Sequence, residues 1–162
     1  MALSKGVNSY ATVTEADEYF NTRLDVAAWT LANDLTKASA LVTATQILDA
    51  KSWGGFAPSA AQSLAFPRTL SYYEPKLGII VALSSTVVPS RITEACFEIA
   101  YHLLNNDGVL DDVSEVESLK IGPIELKGIR SASSISSIAS ALIKPLLDPD
   151  AISSTNRWWR TG

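Results

Sequence analysis

Cysteine, histidine and methionine each occur once in this chain of 162 residues, and that scarcity excludes several kinds of chemistry. Cys96 has no second cysteine with which to close an intrachain disulfide, and such a composition fits a reducing compartment. One histidine and one cysteine would leave carboxylates to complete a zinc site, so no metal is expected. His102 lies between Tyr101 and Leu103 and reads as a structural side chain at a core edge, because a general base also needs a nucleophile and an orienting carboxylate beside it. Neither the phosphate-cradling Gly-x-x-x-x-Gly-Lys pattern nor the dinucleotide Gly-x-Gly-x-x-Gly pattern occurs, and Gly54-Gly55 alone is a turn signal. No cofactor and no enzymatic activity are expected.

Long apolar runs are missing too. None approaches the ~20 residues needed to cross a bilayer, and the start Met1-Ala2-Leu3-Ser4-Lys5-Gly6 lacks the apolar centre of a signal peptide, so the expectation is a soluble chain with no membrane partner. An excess of positive charge is also absent. A net charge of -4 and a pI near 4.9 argue against general affinity for nucleic acid, which rests on cations that neutralise phosphates.

What is present is enough apolar material, 47% of residues, for one domain. Thr14 before Glu15, Ala16 and Asp17 predicts a helix start, with Ala16, Tyr19 and Phe20 on one face. A short turn around Trp29 follows, and Asn33 or Asp34 can cap the next helix. From Thr36 to about Ser52, Ala38, Leu41, Val42, Thr45 and Leu48 recur at steps of three and four, with Lys37 and Lys51 on the other side. Trp53-Gly54-Gly55 ends that helix. The prolines and glycines between 53 and 75 predict a long ordered loop, and the run Leu77 to Leu83 a strand or a buried extended stretch.

Val88-Pro89 opens a further helix with Ile92, Cys96, Ile99, Ala100 and Leu103 on its apolar face. Glu117 to Ile121 and Ile124 to Ile129 alternate around Gly122-Pro123, which predicts a hairpin turning at those two residues. Ile135, Ile138, Ala139, Leu142, Ile143 and Leu146 trace a last amphipathic helix, kinked or ended by Pro145. The expected fold class is therefore mainly α. Helices near 14–21, 36–52, 89–106 and 135–147 form a small bundle in residues 1–149, with a protruding hairpin at about 117–129 and an extended C-terminal tail from 150 to 162.

Two segments stand out as candidate sites. Asp107, Asp111, Asp112, Glu115 and Glu117 form an acidic run that reads as a solvated loop, or as a channel lining that repels DNA phosphates. In the tail, Trp158 and Trp159 diverge by ~100° in a helix and take opposite faces in a strand, so burying both needs a surface that surrounds them. Arg157 and Arg160 add carboxylate-binding forks, and tryptophan and arginine dominate interface hot spots. The readings are docking on a partner, folding back onto the same domain, or stacking on nucleic-acid bases.

Asn8-Ser9-Tyr10, the run Thr14-Glu15-Ala16-Asp17-Glu18-Tyr19-Phe20, Trp29, Lys37-Ala38 to Leu48-Asp49 and Phe66-Pro67-Arg68 together resemble a family of tailed phages. The similarity continues through Val88-Pro89 and Lys120-Ile121-Gly122-Pro123-Ile124 to the closing helix. It resembles the small head-to-tail connector or adaptor proteins, many of them catalogued as DnaT-like single-stranded DNA-binding proteins. The family pattern has Trp-Pro-Arg where this chain has Phe66-Pro67-Arg68, and the stretch from Tyr72 to Leu83 and the tail after Asp150 depart from it.

The connector resemblance implies a structural virion protein at the neck, made in the host cytoplasm. It would form a homo-oligomeric ring, a dodecamer, below the portal protein, contact a tail or nozzle component, and pass double-stranded DNA without sequence-specific binding. Arg157, Trp158, Trp159 and Arg160 would then dock on the portal, and the five acidic residues would line the channel. The catalogue label implies a different function, binding of single-stranded DNA, which is carried forward as the alternative.

Overall fold

The computed structural model describes residues 2–105, 118–121, 124–127 and 136–148. Among them are five α-helices, α1 (Val13–Phe20), α2 (Ala27–Thr30), α3 (Asp34–Asp49), α4 (Ser90–Leu104) and α5 (Ser137–Ile143), and two antiparallel hairpins, β1 (Leu70–Glu74) with β2 (Ile79–Leu83) and β3 (Ser118–Ile121) with β4 (Ile124–Lys127). No described helix is long and apolar enough to cross a membrane.

The start of α1 lies two residues earlier than Thr14 suggests. Thr12 is the cap: its hydroxyl accepts from the Glu15 amide at 3.2 Å, and the Glu15 carboxylate accepts from the Thr12 amide at 2.8 Å. Each side chain thus satisfies an amide that the helix leaves free. Asn33 caps α3 by accepting from Thr36 N at 2.9 Å. Pro89 precedes the first residue of α4, where its missing N–H leaves no gap in the helical ladder. Pro145 falls in a 3-10 turn, Lys144–Leu146, that tightens the end of α5.

α3 and α4 form the centre. Leu41, Ala44 and Leu48 of α3 and Ile92, Ala95, Cys96, Ile99 and Ala100 of α4 have no measurable exposure. Cys96 Sγ lies 3.6 Å from Thr45 Oγ1 and 3.7 Å from the Leu41 carbonyl, so the helices approach closely there. Burial pushes the Cys96 thiol up to about 12. α5 packs on the other side of α4, and α1 and α2 cover one end through Phe20, Trp29 and Tyr101, with the Phe20 and Trp29 rings 4.8 Å apart.

Lys37 overturns the expectation that it faces water. Its ammonium is 2.8 Å from Asp17 Oδ1 and lies over the Trp29 ring, while Trp29 Nε1 donates to the same oxygen at 2.8 Å. A long aliphatic stem with an ion pair at its end can line a helix face that counts as polar by residue type. The loop expected from 53 to 75 is corrected as well. Residues 70–74 of it are β1, in which Leu70, Tyr72 and Glu74 point inward and Ser71 and Tyr73 outward; Pro75 stands just beyond the strand, in the turn. The hairpin expected around 122–123 is present, with Ile121 paired to Ile124 and Ser118 to Lys127.

Ile99→Ala should lower stability by about 2–5 kcal/mol, whereas Leu24→Ala, at a side chain 94% exposed, should change it by less than about 0.5 kcal/mol. Urea titration followed by circular dichroism measures both. In the same titration the Cys96 thiol should react with a thiol reagent only as the chain unfolds.

Candidate nucleic-acid interface

Nearly all the described residues that carry the family resemblance turn out to build the scaffold. Tyr10 donates its hydroxyl to Asp49, and that oxygen accepts in turn from the Phe66 amide at 3.2 Å, while Asp49 also accepts from Ala65 N at 3.1 Å. Burial and this carboxylate raise the Tyr10 pKa. Tyr19 donates to Glu98 Oε1 at 2.5 Å and accepts from Arg23 at 3.0 Å, and Arg23 is ion-paired with Glu98. Phe66 is packed edge-on against Trp53, with centroids 4.9 Å apart, and the Phe66–Pro67 peptide is cis. Arg68 clamps a loop, donating to the Gly54 carbonyl at 3.0 Å and the Gly55 carbonyl at 2.9 Å.

That clamp positions an exposed face. Phe56 and Thr69 exchange backbone hydrogen bonds of 3.2 and 3.0 Å, so the loop residue extends the β1–β2 hairpin as a short third edge. Opposed residues in an antiparallel pair share a face. Phe56 and Thr69 therefore lie on the side of Ser71 and Tyr73, and the register adds Ile80, opposite Tyr73, and Ala82, opposite Ser71. All of these are exposed, Phe56 at 68% and Tyr73 at 58%. Thr69 and Tyr73 are four residues apart, which separates the two rings by about 13 Å along the strand.

The inward side of the hairpin is anchored to α4. Arg91 is ion-paired with Glu74, donating to it through Nε at 2.8 Å, and reaches the Leu142 carbonyl at 3.2 Å. Tyr72 donates to Glu74 at 2.9 Å with the Arg91 guanidinium over its ring. The Arg91 guanidinium holds the Glu74 carboxyl down at about 2. A groove of about 530 Å³ runs beside the hairpin, lined by residues that include Gly54, Tyr72, Lys144 and Pro145.

Most cations whose side chains are described are already committed. Lys5, Arg23, Lys37 and Arg91 pair with carboxylates, and Arg68 holds carbonyls. Lys51, Lys76 and Lys144 stand outside those pairs. A second exposed apolar set, Leu24, Leu31 and Leu35 around α2, contains no aromatic ring. No cluster of metal-ligating side chains occurs among the described residues. His102 sits half-buried with its ring edge-on to Tyr101 at 5.5 Å. The proposed tail residues Arg157, Trp158, Trp159 and Arg160, the acidic run Asp107, Asp111, Asp112, Glu115 and Glu117, and the turn residues Gly122 and Pro123 lie outside the described residues.

Among the described residues, Phe56 and Tyr73 thus stand exposed on one side of the β1–β2 hairpin, over a polar and aromatic scaffold. The sequence matches, over residues 2–160, the family described as "Putative DnaT-like ssDNA binding protein", and the chain belongs to that family. No curated protein and no solved structure matches it.

This membership overturns the connector reading. The portal protein, the tail component, the dodecameric ring and the indifferent passage of double-stranded DNA fall with it, since the family is described by single-stranded DNA binding. The net charge of -4 is not spread evenly along the chain. Residues 106–117 hold five acids and no base, whereas residues 118–162 hold six Lys and Arg against three Asp and Glu. The exposed face was missed because Phe56 lies in a segment read as loop, and its partner strand was not recognised.

Because Glu74 is held below its ordinary 4.5, its contribution to stability is complete above that pH and lost as pH falls toward about 2. The gap in urea midpoint between the wild type and Glu74→Gln should be widest near neutrality and close progressively between those two values.

Proposed function

We propose that the protein binds single-stranded DNA, with bases stacking on the outer face of the β1–β2 hairpin. Phe56 and Tyr73 are the stacking rings, and Ile80 fills the apolar space beside Tyr73. The observation that carries the reading is this pair of exposed rings on one side of a sheet, in a chain of this family. Exposed aromatic rings suit single strands because every base has a π-face, whereas the bases of a duplex are stacked on each other. The role is binding without catalysis.

Lys51, Lys76 and Lys144 are, among the described side chains, the cations available for phosphates. In the sequence, Trp158 and Trp159 between Arg157 and Arg160 repeat the same combination of ring and cation. With few cations engaged, affinity should depend on stacking more than on charge.

Fluorescence anisotropy with a labelled oligothymidylate tests this. The wild type should bind the single strand in preference to a duplex, and Phe56→Ala and Tyr73→Ala should each weaken binding about 5- to 150-fold, the range for one lost base stack of about 1–3 kcal/mol. If three lysines meet phosphates, the slope of log K against log salt should be about -2. No binding at low salt, or binding that survives both substitutions unchanged, would overturn the reading.

A further inference from the structure

β2 is Ile79-Ile80-Val81-Ala82-Leu83, five consecutive apolar residues without a charge or a proline. It pairs with β1 on one side, and no described strand lies along the other. Alternate residues of a strand in an antiparallel ladder turn their N–H and C=O groups away from the paired neighbour, so among the described residues the outward row of donors and acceptors on this edge has no strand partner. The outer edge of β1 is continued by the Phe56–Thr69 bridge; β2 has no equivalent among the described residues. Natural sheets blunt such edges with lysine, proline or a bulge. This strand contains no lysine or proline and pairs residue for residue, and the exposed side chains of Leu77, Ile79 and Ile80 extend its apolar character.

We propose that the open edge of β2 pairs antiparallel with β2 of a second copy of this chain, closing a two-fold dimer around a four-stranded sheet. The edge itself carries no charge to oppose a second copy. Two chains of net charge -4 repel, and any carboxylate on the edge would face its own image across the two-fold axis; a strand with no charge avoids that penalty. An antiparallel strand paired with itself is also self-complementary and closes at two copies.

The pleat completes the argument. Opposed residues share a face, so Val81 against Val81 of the second copy sets Ile80 against Ala82 of the second copy. Both exposed faces then lie on one side, and both inward faces, each tied to its own α4 through Glu74 and Arg91, on the other. The use of the dimer rests on the single-stranded DNA reading: the rings of both copies form one continuous platform. Five residues per strand make a small interface, so association is weak alone and is strengthened by a strand that spans both copies.

The test places single cysteines in the full chain at each β2 position, Ile79→Cys through Leu83→Cys, with Ser71→Cys on β1 as control. Cys96 is buried and does not compete. Registers that keep the faces aligned leave one residue opposite itself, so mild oxidation should give a covalent dimer at one β2 position and none at Ser71→Cys. Sedimentation velocity of the wild type should show a concentration-dependent dimer. An oligonucleotide long enough to cross both copies should bind about 100-fold more tightly than one of half its length. A strict monomer at concentrations up to ~1 mM, with no disulfide dimer at any β2 position, would overturn the edge proposal. DNA binding in that monomer would leave the functional reading standing, and a dimer that binds no DNA would do the reverse.

Discussion

The close approach of α4 to α3 at Cys96 governs the molecule, because every other described element that shapes the exposed face is attached to this pair. A sulfur 3.7 Å from the Leu41 backbone carbonyl leaves no room for a larger side chain, and Ala44 and Ala95 keep the surrounding space small. A bulkier residue here would wedge two helices apart rather than fill a gap. Tyr10 reaches α3 through Thr45 at 3.2 Å, α1 reaches α4 through Tyr19 and Glu98, and the hairpin reaches α4 through Glu74 and Arg91. Moving α4 would move the last two attachments at once.

Those attachments are polar, and their burial explains why the protein spends so many of its charges internally. Glu98 is 1% exposed, a position tolerable for a carboxylate only with both the Tyr19 hydroxyl and Arg23 beside it. Glu74 is held in the same manner by Arg91, Tyr72 and the Lys76 amide. Such pairs fix geometry more than they add stability, since desolvation offsets much of the attraction. The surface that remains beside the hairpin is correspondingly poor in free charge and rich in exposed rings. An acidic protein can thus present a face suited to a polyanion's bases while its overall charge opposes the polyanion's phosphates.

The helices were legible because their signals are local. The three- and four-residue spacing of Leu41, Thr45 and Leu48, Asn33 as a cap, and Pro89 at a start each act within one turn. The β3–β4 pairing was legible for the same reason, a turn pair between two alternating runs. Lys37 was misread because residue type stands for position only when a side chain does not carry its charge out along an apolar stem. β1 was hidden by the prolines and glycines ahead of it, although its own alternation of Leu70, Tyr72 and Glu74 is regular. Phe56 was beyond reach, since its place depends on a bridge to Thr69, thirteen positions away, and on carbonyls gathered by Arg68. Function was half legible: the family lay within the resemblance drawn from the sequence, and whole-chain charge then gave the wrong choice within it.

Gly55 shows how separable the face is from the fold beneath it. It has a φ of +64°, and a Cβ there would fall 2.1 Å from the Thr69 carbonyl oxygen, so a side chain at this position must push the loop off β1. The helical core does not pass through that contact. A side chain at this one glycine displaces the loop that carries Phe56 and leaves the α3–α4 core untouched, so the exposed face and the scaffold answer to different residues.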